Sequence, residues 1–221
     1  MINVNQNIVS FNEAVKISEA SDRSVLMVRH SYRESLVNGN HDPGLTAAGW
    51  EYAMECGKFL TGMKNVCFGA SSRKRTVETV EALISGAEFT ATDIAHHPLL
   101  HDTAMFSKPE NLGIAIENGD VPTLLKSYFS TGEAPGMRPM KEFVPELLSL
   151  LCGSFPCPNV ILSTHDIVAV ALLSSLHVYE FKPDDWCGYV QGAFLYQQNG
   201  MWNIAYCVPD TSNRPATKLF V

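Results

Sequence analysis

The sequence predicts an α/β protein, built as a three-layer sandwich in which a mostly parallel sheet carries helices on both faces. Apolar runs of strand length alternate with helical segments along the chain, which is typical of parallel sheets. Residues 24–28 are apolar almost without interruption, as in strands buried on both faces. Asn199 and Gly200 separate two further apolar runs and predict a hairpin, which we expect to add antiparallel edge strands.

The individual elements follow from apolar spacing and from residues that start or stop helices. Thr46 is a good N-cap for the helix that follows it, because its hydroxyl can accept from a free backbone N–H. The predicted helices span residues 11–20, 47–60, 73–84 and 167–176. The predicted strands span residues 24–28, 65–69, 89–95, 159–163, 192–197 and 201–207.

The middle of the chain interrupts this alternation. Six prolines fall within residues 96–151, with short helical pieces between them. We expect one domain over residues 1–221, in which the segment of about 96–151 is a small helical cap inserted over the carboxyl edge of the sheet. Open α/β sheets bind ligands at that edge.

Composition limits the environment and the partners of the protein. The net charge of -7 argues against binding to nucleic acid or to anionic membranes. No apolar stretch is long enough to span a bilayer, and the N-terminal residues do not form a secretory signal. The six cysteines lack the spacing of zinc or redox motifs and are expected to be reduced thiols. These observations favour the cytoplasm, and a periplasmic location stays open if a signal was removed.

Residues with chemical potential follow three of the predicted strands. Arg29 and His30 come directly after the strand at 24–28, and His165 and Asp166 follow the strand at 159–163. Arg75 lies shortly after the strand at 65–69. Each residue alone is most simply a surface or packing residue, but parallel strands end at the same edge of a sheet. The sequence therefore predicts a site that combines two histidines, an aspartate and guanidinium groups.

These segments together resemble the histidine phosphatase superfamily, including its phosphoglycerate mutase-like and histidine acid phosphatase-like branches. Residues 26–33 resemble its Arg-His-Gly-x-Arg signature after an apolar strand, although Ser31 stands where the family has glycine. Residues 44–49 and 57–60 are similar to its Leu-Thr-x-x-Gly helix start and the Gly-Lys-x-Leu downstream. Ser71, Arg75 and Thr79 match its Ser-x-x-x-Arg-x-x-x-Thr segment.

The resemblance implies a role for each matching residue. His30 would be the nucleophile, and His165 a further catalytic and phosphate-binding residue. The phosphate-binding arginines would be Arg29, Arg33 and Arg75. Asp166 is the preferred general acid because the His-Asp pair and Arg33 resemble the acid phosphatase branch. Asp102 is its rival, because the mutase branch takes its proton donor from a glutamate after the third strand.

The expected function is hydrolysis of a small phosphorylated substrate through a covalent phosphohistidine on His30. Neither a metal nor another cofactor is expected, because arginines supply the positive charge. One alternative is a phosphoglycerate mutase-type phosphotransferase, and another is a phospholigand-binding protein with weak catalysis. A metal-dependent phosphohydrolase is a third, because His-Asp pairs occur at 101–102 and 165–166. The sequence does not identify the substrate or the oligomeric state.

Overall fold

The computed structural model describes residues 2–35, 42–90, 93–108, 110–119, 121–182 and 185–211. The strands in these ranges are β1 (Ile2–Ser10), β2 (Arg23–Arg29), β3 (Val66–Ala70), β4 (Ile94–His96), β5 (Asn159–Thr164), β6 (Gly192–Gln198) and β7 (Met201–Val208). The helices are α1 (Phe11–Glu19), α2 (Ala47–Lys58), α3 (Lys74–Ala87), α4 (Glu110–Glu117), α5 (Val121–Thr131), α6 (Met140–Leu151) and α7 (Asp166–Ser175). Short 3-10 helices span Pro98–Leu100 and Asp102–Met105.

The strands form one sheet in the order β1-β7-β6-β2-β5-β3-β4. All neighbouring pairs are parallel except those made by β6, which is antiparallel to both β2 and β7. The α/β prediction with a mostly parallel sheet is therefore confirmed. Asn199 and Gly200 both have positive φ, as the two-residue hairpin turn between β6 and β7 requires.

The first strand of the sheet was not predicted from the sequence. β1 pairs in parallel with β7 and forms the outer edge, so the β6–β7 hairpin lies one strand further in than expected. Its apolar residues Ile2, Val4 and Ile8 recur at even spacing, which is the pattern of a half-buried strand. Polar residues separate them and made the strand hard to recognise, and Val4 and Ile8 remain exposed.

Helices cover both faces of the sheet, as the three-layer prediction requires. Along β2, Val25 and Met27 point into one apolar cluster, while Leu26 and Val28 point into the other. The first cluster includes buried residues of α6 and α7, and the second includes those of α1, α2 and α3. Two buried faces explain why residues 25–28 of this strand are apolar at every position rather than at every second one.

The segment proposed as a cap contains both 3-10 helices and α4 to α6. α6 buries Phe143, Leu147 and Leu151 in the cluster it shares with α7, so it also contributes to one layer of the sandwich. The assignment of residues 96–151 as a cap on a single domain remains a prediction. Within the described residues, no helix has the length and apolar character needed to cross a membrane.

The structure corrects the expectation that all six cysteines are reduced thiols. Cys67 in β3 and Cys157 before β5 form a disulfide, with Cα atoms 5.5 Å apart and 90 positions between them in the chain. The sequence did not indicate this pair, because the two cysteines are distant in the chain and come together only through the parallel pairing of β3 with β5. The other four cysteines take part in no disulfide among the described residues.

Candidate active site

The ends of three neighbouring strands bring the predicted residues together. β2, β5 and β3 are adjacent in the sheet and parallel, so His30, His165 and Arg75 project from one edge. The ring centroids of His30 and His165 are 5.5 Å apart, and Arg75 Nη2 lies 3.2 Å from His165 Nδ1. The convergence expected from the sequence is therefore present in the structure.

His30 is a buried imidazole held in one orientation. Its Nδ1 lies 2.7 Å from the carbonyl oxygen of Ser31, and its backbone N–H donates to Thr164 at the end of β5. A proton on Nδ1 makes that bond and leaves the lone pair on Nε2. Burial, followed by the charges of Arg75 and other neighbours, holds the pKa of His30 well below its usual value. The imidazole is therefore neutral at physiological pH.

Ser31, which replaces the glycine of the family signature, directs its hydroxyl into the protein. Its Oγ donates to the carbonyl oxygen of Gly49 at 2.7 Å, and its N–H donates to Thr79 Oγ1 at 2.9 Å. Gly49 is itself required by close approach, because a Cβ there would lie 2.1 Å from the carbonyl oxygen of Tyr32. The hydroxyl of Ser31 thus binds the start of α2, whose N-cap is Thr46 as predicted.

Arg29 is held by residues that the sequence analysis did not select. Its Nη1 donates to the carbonyl oxygen of Cys187 at 2.6 Å, and its Nη2 lies 3.3 Å from Asp166 Oδ2. The face of its guanidinium lies 4.2 Å from the ring centroid of Tyr189. Val190, the next residue, has a φ of 57°, which is unfavourable for a β-branched side chain.

The segment 186–191 is the main part of the site that sequence reasoning missed. Trp186 Nε1 donates to Asp166 Oδ2 at 3.1 Å, and the ring of Tyr189 lies 6.1 Å from that of His30. Backbone hydrogen bonds from Arg29 to Gln191 and from Val190 to Arg29 fix the segment against β2. No motif marks these residues, although aromatic residues just before a predicted strand at the same sheet edge were an available signal.

Arg75 connects most of the polar groups in the site. Its Nη2 donates to Asp102 Oδ2 at 2.9 Å, and its Nη1 lies 3.6 Å from Asp42 Oδ1. Burial lowers the pKa of Arg75, but an arginine side chain stays charged in proteins. The Nε atoms of Arg75 and Arg29 are buried and have no hydrogen-bond acceptor among the described residues. Buried donors of this kind normally have an acceptor.

His165 uses both ring nitrogens within the protein. Nδ1 accepts from Arg75, so the proton of a neutral ring lies on Nε2, which donates to Ser71 Oγ at 3.1 Å. Burial lowers the pKa of His165 to about 3, although Asp102 opposes this. The neutral ring therefore links Arg75 to Ser71, the serine that matches the family segment.

Both candidate acids lie beside the arginines, whose charges favour the ionised carboxylates. Burial would raise the pKa of Asp102, but His165, His101 and Arg75 hold it well below its usual value. Burial likewise opposes ionisation of Asp166, whose pKa is lowered mainly by Arg29. Each carboxylate is thus bound to a different arginine of the site.

Arg33 lies at the margin of the pocket. Its Nη1 donates to the carbonyl oxygen of Glu34 at 2.9 Å, and its charge contributes to the lowered pKa of Arg75. The structure therefore places Arg33 near Arg75 without a direct contact to His30. Among the described residues, no cluster of three or more His, Cys, Asp or Glu side chains is arranged to hold a metal ion.

A family model for the histidine phosphatase superfamily (branch 1) matches residues 25–183. The chain therefore belongs to this superfamily. The match includes His30, Arg75 and His165 and ends before Trp186 and Tyr189. The resemblance drawn from the sequence motifs is confirmed.

Solved structures of this fold have low sequence identity to the chain. A mycobacterial glucosyl-3-phosphoglycerate phosphatase in complex with VO3 has a TM-score of 0.60 and 19% identity, over 84% of this chain and 98% of that one. Phosphoglycerate mutase from Bacillus anthracis has a TM-score of 0.53 and 15% identity, over 85% and 93%. YhfR from Bacillus stearothermophilus has a TM-score of 0.55 and 16% identity, over 83% and 95%. No curated protein matches the sequence significantly.

Proposed function

We propose that the protein is a phosphomonoesterase that transfers the phosphoryl group of a small substrate to His30 and then to water. The observation that carries this proposal is the state of His30. Its ring is buried and neutral, and Nδ1 lies 2.7 Å from the Ser31 carbonyl, so that Nε2 keeps its lone pair beside two arginines. A neutral, oriented imidazole is the form that attacks phosphorus.

Arg29 and Arg75 are proposed as the main phosphate ligands. Phosphoryl transfer places charge on the equatorial oxygens, and planar guanidiniums bind such oxygens through paired N–H donors. An anion between these residues would give their buried Nε atoms the acceptors that the described residues do not provide. Arg33 and His165 complete the proposed phosphate-binding set, and Nε2–H of His165 would then donate to the phosphate in place of Ser71 Oγ. Loss of one preorganised donor typically costs about 3 kcal/mol in the transition state.

Two carboxylates compete for the role of general acid. The expectation that Asp166 is the acid rests on a resemblance to the acid phosphatase branch, whereas the matching family model is that of branch 1. We therefore propose Asp102 as the proton donor. It follows β4, the third strand along the chain counted from β2, and the mutase branch takes its proton donor from the corresponding position. Asp166 would then orient Arg29, which its Oδ2 approaches to 3.3 Å. Binding of an anionic ester would raise the pKa of Asp102 and favour its protonated form.

The proposed reaction has two steps. In the first, His30 Nε2 forms a bond to phosphorus, the P–O ester bond breaks, and the leaving oxygen takes the proton of Asp102. In the second, water attacks phosphorus, its proton passes to Asp102, and the P–N bond breaks to release phosphate. Acid–base assistance of this kind typically contributes about 100-fold or more to the rate.

The first experiment replaces the nucleophile. His30→Ala is expected to abolish hydrolysis of nitrophenyl phosphate and to prevent trapping of labelled phosphoenzyme in an alkaline quench. His177→Asn is the matched control, because His177 is exposed and its φ of 55° suits asparagine. Retained turnover in His30→Ala, with normal folding by circular dichroism, would contradict the proposal. Analysis of phosphoglycerate products separates hydrolysis from the mutase alternative.

A second experiment assigns the acid. Asp102→Asn should lower kcat/KM, which reports the first step, about 100-fold for alkyl phosphates but much less for nitrophenyl phosphate, because nitrophenolate leaves without a proton. Asp166→Asn should slow both substrates by similar factors, because the position of Arg29 matters for each. If only Asp166→Asn discriminates between the substrates, the acid is Asp166.

A further inference from the structure

Beside the proposed active site is a second cavity, for which the reaction described above has no use. Its volume is about 580 Å³, and the polar side chains that line it are Ser72, His96, His97, His101 and Arg138, with Thr103 beside them. None of its lining residues is an aspartate or glutamate. We call it the histidine cavity. Its histidines had no role in the function predicted from the sequence.

Two residues that line the histidine cavity, His101 and Ser72, lie next to residues of the proposed active site. The ring centroid of His101 lies 5.9 Å from that of His165, which in turn lies 5.5 Å from that of His30. Ser72 directly follows Ser71, whose hydroxyl contacts His165. These two ring contacts connect the proposed phosphoryl position at His30 with His101 in the wall of the cavity.

The lining of the cavity provides nitrogen donors. Among the described residues, the backbone N–H of Thr103 donates to His101 Nδ1 at 3.2 Å, so a neutral His101 ring carries its proton on Nε2. Arg138 pairs with the exposed Glu146 through Nη2, and its Nη1 is 3.4 Å from the carbonyl oxygen of Ala104. His96 is exposed at the cavity wall. A guanidinium and imidazoles without a carboxylate in the wall suit an anion.

We propose that the histidine cavity is the subsite for the leaving group and selects substrates that carry a second anionic group, either a carboxylate or a second phosphate. This proposal rests on the proposed function, because it takes His30 as the position of the phosphoryl group. Arg138 and His96 are its specificity-determining residues. A neutral polyol of the same length would leave the donors of the cavity without a charged acceptor.

Kinetics with matched leaving groups test this specificity. The substrates are glycerol 2-phosphate, 2-phosphoglycerate and glycerol bisphosphate, which present a neutral group, a carboxylate and a second phosphate. In Arg138→Met, kcat/KM for the anionic substrates relative to glycerol 2-phosphate is expected to fall about tenfold, since hydrogen bonds to charged groups are the stronger class. The loss should lie in KM, and His96→Gln should show a smaller loss.

The ratio of kcat/KM for the anionic substrates to kcat/KM for glycerol 2-phosphate gives both the control and the result that would contradict the proposal. His177→Asn should keep the wild-type ratio, because His177 lines a different cavity. A preference for glycerol 2-phosphate in the wild type, or an unchanged ratio in both Arg138→Met and His96→Gln, would overturn the proposal. The two anionic substrates show which group the cavity takes.

Binding without turnover separates this proposal from the proposed function. Phosphoglycolate and methyl phosphate differ by one carboxylate, and calorimetry gives their affinities for wild type and for Arg138→Met. We expect tighter binding of phosphoglycolate, with about a tenfold loss in the variant that methyl phosphate does not share. Equal affinities would refute the subsite even if the enzyme is active. A difference in affinity in a protein without phosphatase activity would refute only the proposed function.

Discussion

The two buried histidines predict a steep dependence of stability on pH, and His165→Gln is the perturbation that tests it. In the folded protein, burial lowers the pKa of His165 to about 3 and holds that of His30 well below its usual value. In the unfolded chain both have pKa values of about 6.5. Between these values the unfolded state binds protons that the folded state does not.

The sign and the size of the effect follow from this difference. The full stability is present above about pH 6.5 and is lost as the pH falls toward the folded pKa values. Each histidine contributes a slope of about 1.4 kcal/mol per pH unit, so His30 and His165 together give about 3 kcal/mol per unit. Asp102 and Asp166 also have lowered pKa values, but their contribution is lost only below about pH 4.

The assay is urea unfolding followed by circular dichroism at several pH values between about 4.5 and 7, at constant ionic strength. His165→Gln removes one titration and should reduce the slope of the free energy of unfolding by about 1.4 kcal/mol per pH unit. His97, whose pKa is also lowered by burial, contributes in both proteins. The slope is the readout, because the substitution also removes contacts with Arg75 and Ser71 at every pH. His177→Asn should keep the wild-type slope. Equal slopes in wild type and His165→Gln would refute the reasoning.

Three further predictions concern the rest of the structure. Tyr189→Leu should raise KM for nitrophenyl phosphate about fivefold, because a cation–π contact with Arg29 contributes about 1 kcal/mol. Tyr189→Phe should retain the wild-type KM. Equal kinetics in the two variants would exclude a role of the aromatic ring in holding Arg29. Ser31→Gly should lower the free energy of unfolding by about 1–2 kcal/mol through loss of the hydrogen bond from the Ser31 hydroxyl to Gly49. A larger effect on kcat than on stability would show that the hydroxyl acts in catalysis. Cys157→Ser should lower the free energy of unfolding by about 4.6 kcal/mol, which is the loop-entropy value for a closure of this length. The comparison is with wild type with and without reductant, and a variant as stable as the oxidised protein would contradict the disulfide.

The core of the fold was predictable because its signals are local in the chain. Apolar runs fully buried between two layers, such as residues 24–28, identify central parallel strands without any further information. Thr46 and Asn199–Gly200 gave the helix start and the turn through their own backbone chemistry. β1 was missed because polar residues separate the apolar positions of a half-exposed edge strand.

The parts of the site that were predicted lie at the ends of strands or shortly after them. His30, Arg75 and His165 could be assigned to one sheet edge because parallel strands share their direction. Tyr189 and Trp186 could not, since their contacts with Arg29 and Asp166 depend on a connection whose path no sequence pattern specifies. The disulfide was missed for a similar reason, because its cysteines are distant in the chain.

The amino-acid sequence by itself determined the α/β class, the succession of the central strands and helices along the chain, and the family. Each of these depends on local periodicity and on motifs of a few residues. Only the tertiary structure decided which groups touch. In the folded protein the hydroxyl of Ser31 donates to the start of α2, each carboxylate pairs with a different arginine, and the histidine cavity forms beside the site. Such contacts depend on distances of a few ångströms between segments far apart in the chain, and these distances exist only after the sheet and its two helical layers have packed together.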